Sequence, residues 1–185
     1  MIEGMKFSRP QLDGLTAVRG IAASHGAQDF AWAHRPEDRT RLWQARHDIW
    51  WANKGLRPGA EGLPTDVCVP ISELAEQVEL AQRDVRESGL IAPMCGHVGD
   101  GNFHLCFMVD PSDAGEMARV KDVYTRMIRR ALAVGGTCTG EHGIGHGKVD
   151  FLKEEAGGGF EVMRAVRAAL DPQGIMNPGK VTGFV

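Results

Sequence analysis

IAPMCGHVGDGNFHLCFMVD, residues 91–110, decides the fold. Its centre, Gly99-Asp100-Gly101-Asn102, is a hairpin-type turn, because Asp-Gly and Gly-Asn tolerate the positive φ that a tight reversal needs. The turn joins a strand ending near His97 to one beginning near Phe103. Within FHLCFMVD, side-chain alternation sends Phe103, Leu105, Phe107 and Val109 to one face and His104, Cys106 and Met108 to the other. A hairpin here carries His97 and His104 on adjacent strands, close enough for both imidazoles to face one point. That is a metal-ligand arrangement, although two histidines beside a glycine-rich turn read equally well as surface residues.

Upstream of this hairpin, IAPMC reads as a short strand, and ISELAEQVELAQRDVRESG as a helix with Leu74, Val78, Ala81 and Val85 inward and Gly89 as its C-terminal cap. DVCVP is a short strand ended by Pro70. The stretch NKGLRPGAEGLPTD, dense in glycine and proline, reads as a mobile loop. Pro36 opens a helix, PEDRTRLWQARHDIW, with Leu42, Ala45 and Ile49 as a buried stripe. QLDGLTAVRGIAASHG is helix-like. Downstream, Asp110-Pro111 caps a helix in which Met117, Val120, Tyr124, Met127, Ala131 and Leu132 recur at helical spacing before Gly135-Gly136 stop it. A last helix carries Phe160, Met163, Val166 and Leu170 and ends at Asp171-Pro172. Helices alternating with short, hairpin-linked strands predict an α+β fold: a ferredoxin-like antiparallel sheet with helices packed on one face.

Composition narrows the function. At 185 residues the chain can bury a substantial core, and a net charge of −3 without a basic block excludes a phosphate-tracking surface, hence nucleic acid. No apolar run reaches the roughly 20 residues that span a bilayer, and the N-terminus has no signal-peptide core. The four cysteines lack Cys-x-x-Cys spacing and have apolar flanks, so they read as reduced packing residues in a reducing compartment. Trp32, Trp43, Trp50 and Trp51 read as core or interface anchors.

A second glycine-rich segment, GGTCTGEHGIGHGK at residues 135–148, has six glycines in fourteen residues. Such a backbone is shaped for close approach to a ligand rather than for a helix or strand. Glu141 and His142 stand at its centre. Glu141 with His97 and His104 makes a carboxylate-plus-two-histidine set with open positions, suited to Zn²⁺, Mn²⁺ or Fe²⁺ holding a substrate oxygen. His142 then stands free to act as a base. His146 competes for these roles, but reads better as the start of the helix HGKVDFLKEEA. The segment is no P-loop, since Val149 stands where Ser or Thr is required after Lys148.

TDVCVPISELAE, GHVGDGNFHLCFMVDP, GGTCTGEHGIGHGK and DPQGIMNPGK, in this order, closely resemble the C-terminal half of the FAD-linked D-lactate dehydrogenases of the cytochrome type, in the vanillyl-alcohol-oxidase superfamily. The glycolate oxidase flavin subunit and D-2-hydroxyglutarate dehydrogenase are related. The resemblance implies two cofactors, FAD and a divalent metal such as Zn or Mn. It implies that His97, His104 and Glu141 hold the metal, that His142 is the catalytic base, that Arg46 binds the substrate carboxylate and that Asn177, in the NPGK motif, contacts the flavin. The D-2-hydroxyglutarate branch carries an asparagine and a lysine where this chain has Cys106 and Pro64. That favours a small 2-hydroxy acid, D-lactate or glycolate, oxidised to the 2-oxo acid.

The resemblance covers about residues 27–185, with residues 1–26 matching the end of the upstream cap region. Family members carry an FAD-binding domain of roughly 200 residues, which implies that this chain is a fragment, a truncated product or one part of a split enzyme, inactive alone. A separate FAD-binding chain and a second copy of this chain are the partners so implied. The expected location is the cytoplasm or the periphery of the inner membrane.

Overall fold

A computed structural model describes residues 9–28, 30–33 and 35–183, and divides into two compact units, residues 1–52 and 53–185. The first holds α1 (Arg9–Ser24) and α2 (Pro36–His47); α3 (Ile49–Gly55) crosses into the second. The helix expected from Pro36 to Trp50 is thus two. Asp48 breaks it, its carboxylate accepting a hydrogen bond from Gln44 Nε2 at 2.9 Å. The expected stripe at Leu42, Ala45 and Ile49 is exposed, and α1 and α2 bury no residue among those described. Helical periodicity marks which face is apolar, not what covers it.

The second unit is built on an antiparallel sheet. Its centre is β4 (Asn102–Val109), all eight of whose residues are buried. Along one edge run β1 (Glu61–Pro64) and β2 (Val67–Cys68); along the other runs β3 (Met94–His97). β1 and β2 share a single register on β4, with Leu63 opposite Phe107 and Val67 opposite Phe103. The Thr65 N–H, donating to the Leu105 carbonyl at 2.8 Å, bridges the gap between them. The stretch read from its glycines and prolines as a loop therefore contains a strand. Pro64 does not prevent it, because N–H groups alternate sides along a strand and the position before Thr65 points away from β4. The strand expected at IAPMC begins only at Met94, although the Pro93 and Ile91 carbonyls still accept from Cys106 and Met108 at 2.9 Å.

Strand parity is as the sequence predicts. Phe103, Leu105, Phe107 and Val109 enter one apolar cluster with Leu74 and Ala81 of α4 (Ile71–Ser88) and Val120, Val123, Met127, Ile128 and Ala131 of α5 (Ala114–Ala133). Each of these side chains other than the two alanines contributes roughly 1.5–3 kcal/mol on burial. Gly89, at φ 67°, ends α4 as expected. Asp84 of α4 is buried against α5, within 3.0 Å of Arg126 and 2.5 Å of Arg130. The cap of α5 is Asp113 rather than Asp110-Pro111. Its carboxylate accepts the Gly115 and Glu116 N–H groups at 2.9 Å, whereas Asp110 accepts from Ser112 and closes a local turn. α6 (Val149–Ala156) and α7 (Gly159–Leu170) complete a mixed fold of helices and antiparallel sheet.

Candidate metal centre

The β3–β4 pairing sets His97 opposite Asn102, Gly96 opposite Phe103 and Cys95 opposite His104. His97 and His104 therefore lie on the same face, diagonal neighbours rather than direct partners. Their ring centroids are 6.5 Å apart and nearly perpendicular. A short 3₁₀ turn, Val98–Asp100, connects the strands, and Gly101 follows it at φ 74°. A side chain there would strike the Val69 carbonyl, so only glycine closes the turn.

His104 is buried at 7% exposure, and its Nδ1 lies 2.9 Å from the Thr65 carbonyl. A carbonyl only accepts, so Nδ1 carries a proton, and in the neutral ring Nε2 is the nitrogen with the lone pair. That Nε2 is buried without a hydrogen-bond donor, yet lies 2.8 Å from Glu141 Oε1. At this distance the two atoms repel unless a proton or a metal ion is shared between them. The other carboxylate oxygen, Oε2, is 3.6 Å from His97 Nε2, and His142 Nε2 is 3.7 Å from Oε1. Ligands about 2.1 Å from a divalent ion sit roughly 3.0–3.4 Å from each other. The two distances, 2.8 Å from His104 and 3.6 Å from His97, fall on either side of that range, so the three side chains converge on one region more loosely than ligands around a bound ion. His142 stacks on His104, centroids 4.7 Å apart and planes within 8°.

Sequence reasoning missed Asp66. The register of β1 and β2 places it opposite His104, and its Oδ1 is 3.6 Å from His104 Nδ1. It is fully buried and accepts five hydrogen bonds, four of them on one oxygen. Oδ2 accepts the N–H groups of Gly140, Glu141 and His142 at 2.8, 3.0 and 2.8 Å and the Thr139 hydroxyl at 2.8 Å; Oδ1 accepts Asn102 Nδ2 at 2.8 Å. Burial alone would raise its pKa. The donors, led by the His142 N–H, Thr139 and Asn102, overcome that and hold the carboxyl well below the usual range. Among the described residues it is Asp66, His104 and His142, rather than His97, His104 and Glu141, that bring one ligand-type atom each within 4.8 Å of one another. Oδ2 is filled by its four donors while Oδ1 accepts a single hydrogen bond, so Asp66 is occupied chiefly in holding the loop. Buried Lys148 donates from Nζ to the Asp66 carbonyl at 3.0 Å; desolvation pulls its pKa down and the Asp66 charge opposes this. The one signal for Asp66 in the sequence was a lone carboxylate inside an apolar strand motif.

The other expected residues have partners of their own. His146 Nδ1 meets the Gly179 carbonyl at 3.1 Å, tying the glycine-rich loop to the C-terminal segment. Asn177 is exposed at φ 46°, and its carbonyl and that of Met176 accept from Arg167 of α7. Cys106 and Pro64 face each other across β4 and β1. Arg46 is on α2 in the first unit, its guanidinium 5.6 Å from the Trp43 ring centroid.

Residues 9–181 match the family described as FAD linked oxidases, C-terminal domain. The chain belongs to this family. Within it, the chain is 48% identical over 175 residues to a zebrafish protein named probable D-lactate dehydrogenase, mitochondrial, covering 94% of this chain and 35% of that protein. It is 41% identical to the Arabidopsis thaliana mitochondrial D-lactate dehydrogenase (cytochrome), covering 89% and 29%. It is 33% identical to the glycolate oxidase subunit GlcD of Bacillus subtilis, covering 89% and 35%. The chain thus spans about a third of the length of the curated relatives it matches. The solved 4-ethylphenol oxidase of Gulosibacter chungangensis, at 20% identity, shares the fold, with a TM-score of 0.61 over 96% of this chain and 37% of that one. Among the described residues no helix is long and apolar enough to cross a membrane.

Proposed function

We propose that this chain is the metal- and substrate-binding portion of an FAD-dependent dehydrogenase that converts D-lactate or glycolate to the 2-oxo acid. One observation carries the reading: the buried, donorless His104 Nε2 directed at the Glu141 carboxylate, with His97 and His142 around the same group. The names of the relatives, D-lactate dehydrogenase and glycolate oxidase subunit, support the reaction class.

His97, His104 and Glu141 would hold the divalent ion, Zn or Mn by the chemistry of the donors. When bound, the ion supplies Lewis acidity toward a hydroxyl, and the flavin supplies a hydride acceptor. His142 Nε2 takes the substrate hydroxyl proton, and the adjacent Glu141 charge steadies the imidazolium so formed. Arg46 pairs bidentately with the substrate carboxylate, a role assigned on the resemblance of its segment. Asn177 contacts the flavin, on the resemblance of the NPGK motif. The apolar Cys106 and Pro64 offer no partner for a second carboxylate, which favours a monocarboxylic substrate.

The test is ligand-observed NMR on the purified chain with D-lactate, glycolate and D-2-hydroxyglutarate, with and without Mn²⁺ or Zn²⁺. D-lactate or glycolate should bind only with metal, and His104→Ala should abolish binding. Equal binding without metal, or tightest binding of the dicarboxylate, overturns the reading.

A further inference from the structure

We propose that Asp66 is a positioning residue: its buried carboxylate fixes the backbone of residues 139–142 so that Glu141 and His142 face His104. The inference rests on the metal-holding role of Glu141 proposed above, and adds the device that sets its geometry.

Three successive N–H groups, those of Gly140, Glu141 and His142, converge on the single oxygen Oδ2. Consecutive amides of this kind form a concavity that selects an anion, and here the protein supplies its own. The second oxygen engages Asn102, the residue opposite His97 in the β3–β4 ladder. One carboxylate therefore joins the strand pair that carries both histidines to the loop that carries Glu141 and His142. Hydrogen bonds to an ionised acceptor are about twice as strong as neutral ones, and Asp66, the acceptor, has no solvent access of its own. An amide in its place fails on one side: its NH₂ must confront either the loop N–H groups or the Asn102 NH₂.

Gly140 shows how closely the loop sits. A Cβ there would collide with Asn102 Nδ2 and lie 3.1 Å from Asp66 Oδ1. Gly140→Ala thus lifts the loop off the carboxylate without deleting any functional group.

The experiment reads two quantities in the wild type, Asp66→Asn and Gly140→Ala. The first is amide hydrogen exchange by NMR on the metal-free chain; the second is Co²⁺ affinity from its visible absorption. In Asp66→Asn, exchange at Gly140, Glu141 and His142 should rise at least about tenfold while the β4 amides keep their protection, and Co²⁺ affinity should fall about 10- to 100-fold, as for other groups that orient metal ligands. Gly140→Ala should shift both in the same direction, and carries the test if Asp66→Asn fails to fold. Val123→Ala, a core truncation on α5 that removes no hydrogen bond from the loop, should lower Tm without moving Co²⁺ affinity or loop exchange. Unchanged loop protection in both site variants, or protection lost equally along β4, overturns the positioning role. A wild-type chain that binds no Co²⁺ overturns the metal reading instead, because loop exchange is measured without metal.

Discussion

Replacing Gly96 by alanine should damage the candidate site from outside it. Gly96 lies opposite Phe103, one residue before His97, and a Cβ built there sits 2.7 Å from the Phe103 Cα and closer still to the Asn102 carbonyl oxygen. Both obstacles are backbone, so no side-chain rotation relieves them. Ordinary contact begins near 3.4 Å, so β3 must retreat from β4 by about 0.7 Å or more. Ligand distances in a metal site tolerate about 0.2 Å, and His97 moves with its neighbour. The expected cost is the His97 contribution, about 10- to 100-fold in metal affinity or roughly 1.4–2.8 kcal/mol, together with about 1–3 kcal/mol of fold stability from the forced repacking. Gly99, two residues beyond His97 in the same turn, has nothing within 4 Å of its built Cβ and provides the control. Isothermal titration with Zn²⁺ and a thermal melt on Gly96→Ala, Gly99→Ala and His97→Ala check the chain of argument. Gly96→Ala should approach His97→Ala in affinity and Gly99→Ala should remain near wild type. Wild-type affinity in Gly96→Ala would refute the claim that the hairpin registers His97 into the site.

Asp84→Asn should lower stability by about 2 kcal/mol, because it strips the charge from a buried acceptor shared by Arg126 and Arg130; differential scanning calorimetry should show Tm down by roughly 4–8 °C. Glu116 accepts the Asp110 N–H and pairs with Arg57, and these interactions hold its pKa below the usual value against the opposing effect of burial. Its stabilising contribution is present above the unfolded value of about 4.3 and is lost as pH falls through the lower folded value. Urea titrations between pH 3 and 6, a window of about the carboxylate range, should show Glu116→Gln with a shallower acid-side decline than the wild type.

The parts of the molecule legible in the sequence were those whose signal is local. The period-two pattern of FHLCFMVD gave the two faces of β4, and the Asp-Gly-Asn turn gave the reversal that brings His97 beside His104. The helix α4 and its left-handed Gly89 cap were legible for the same reason. What escaped depends on partners distant in sequence. β1 has the composition of a loop and becomes a strand only because β4 presents an edge to it. The α5 cap fell to Asp113 rather than Asp110, since both residues carry the same short carboxylate and only the backbone decides which meets the free N–H groups. Asp66 is the plainest case. A single aspartate beside a short strand announces nothing until the chain 74 to 76 residues later brings three N–H groups to it.

The central claim is that His97, His104 and Glu141 hold one divalent ion. Native mass spectrometry with elemental analysis of the wild type, His104→Ala and Glu141→Gln tests it most directly, after equal exposure to Mn²⁺ and Zn²⁺. The account predicts one ion per wild-type chain and occupancy below about a tenth in both variants, the loss expected when a ligand is removed. Equal metal content in all three proteins would contradict it.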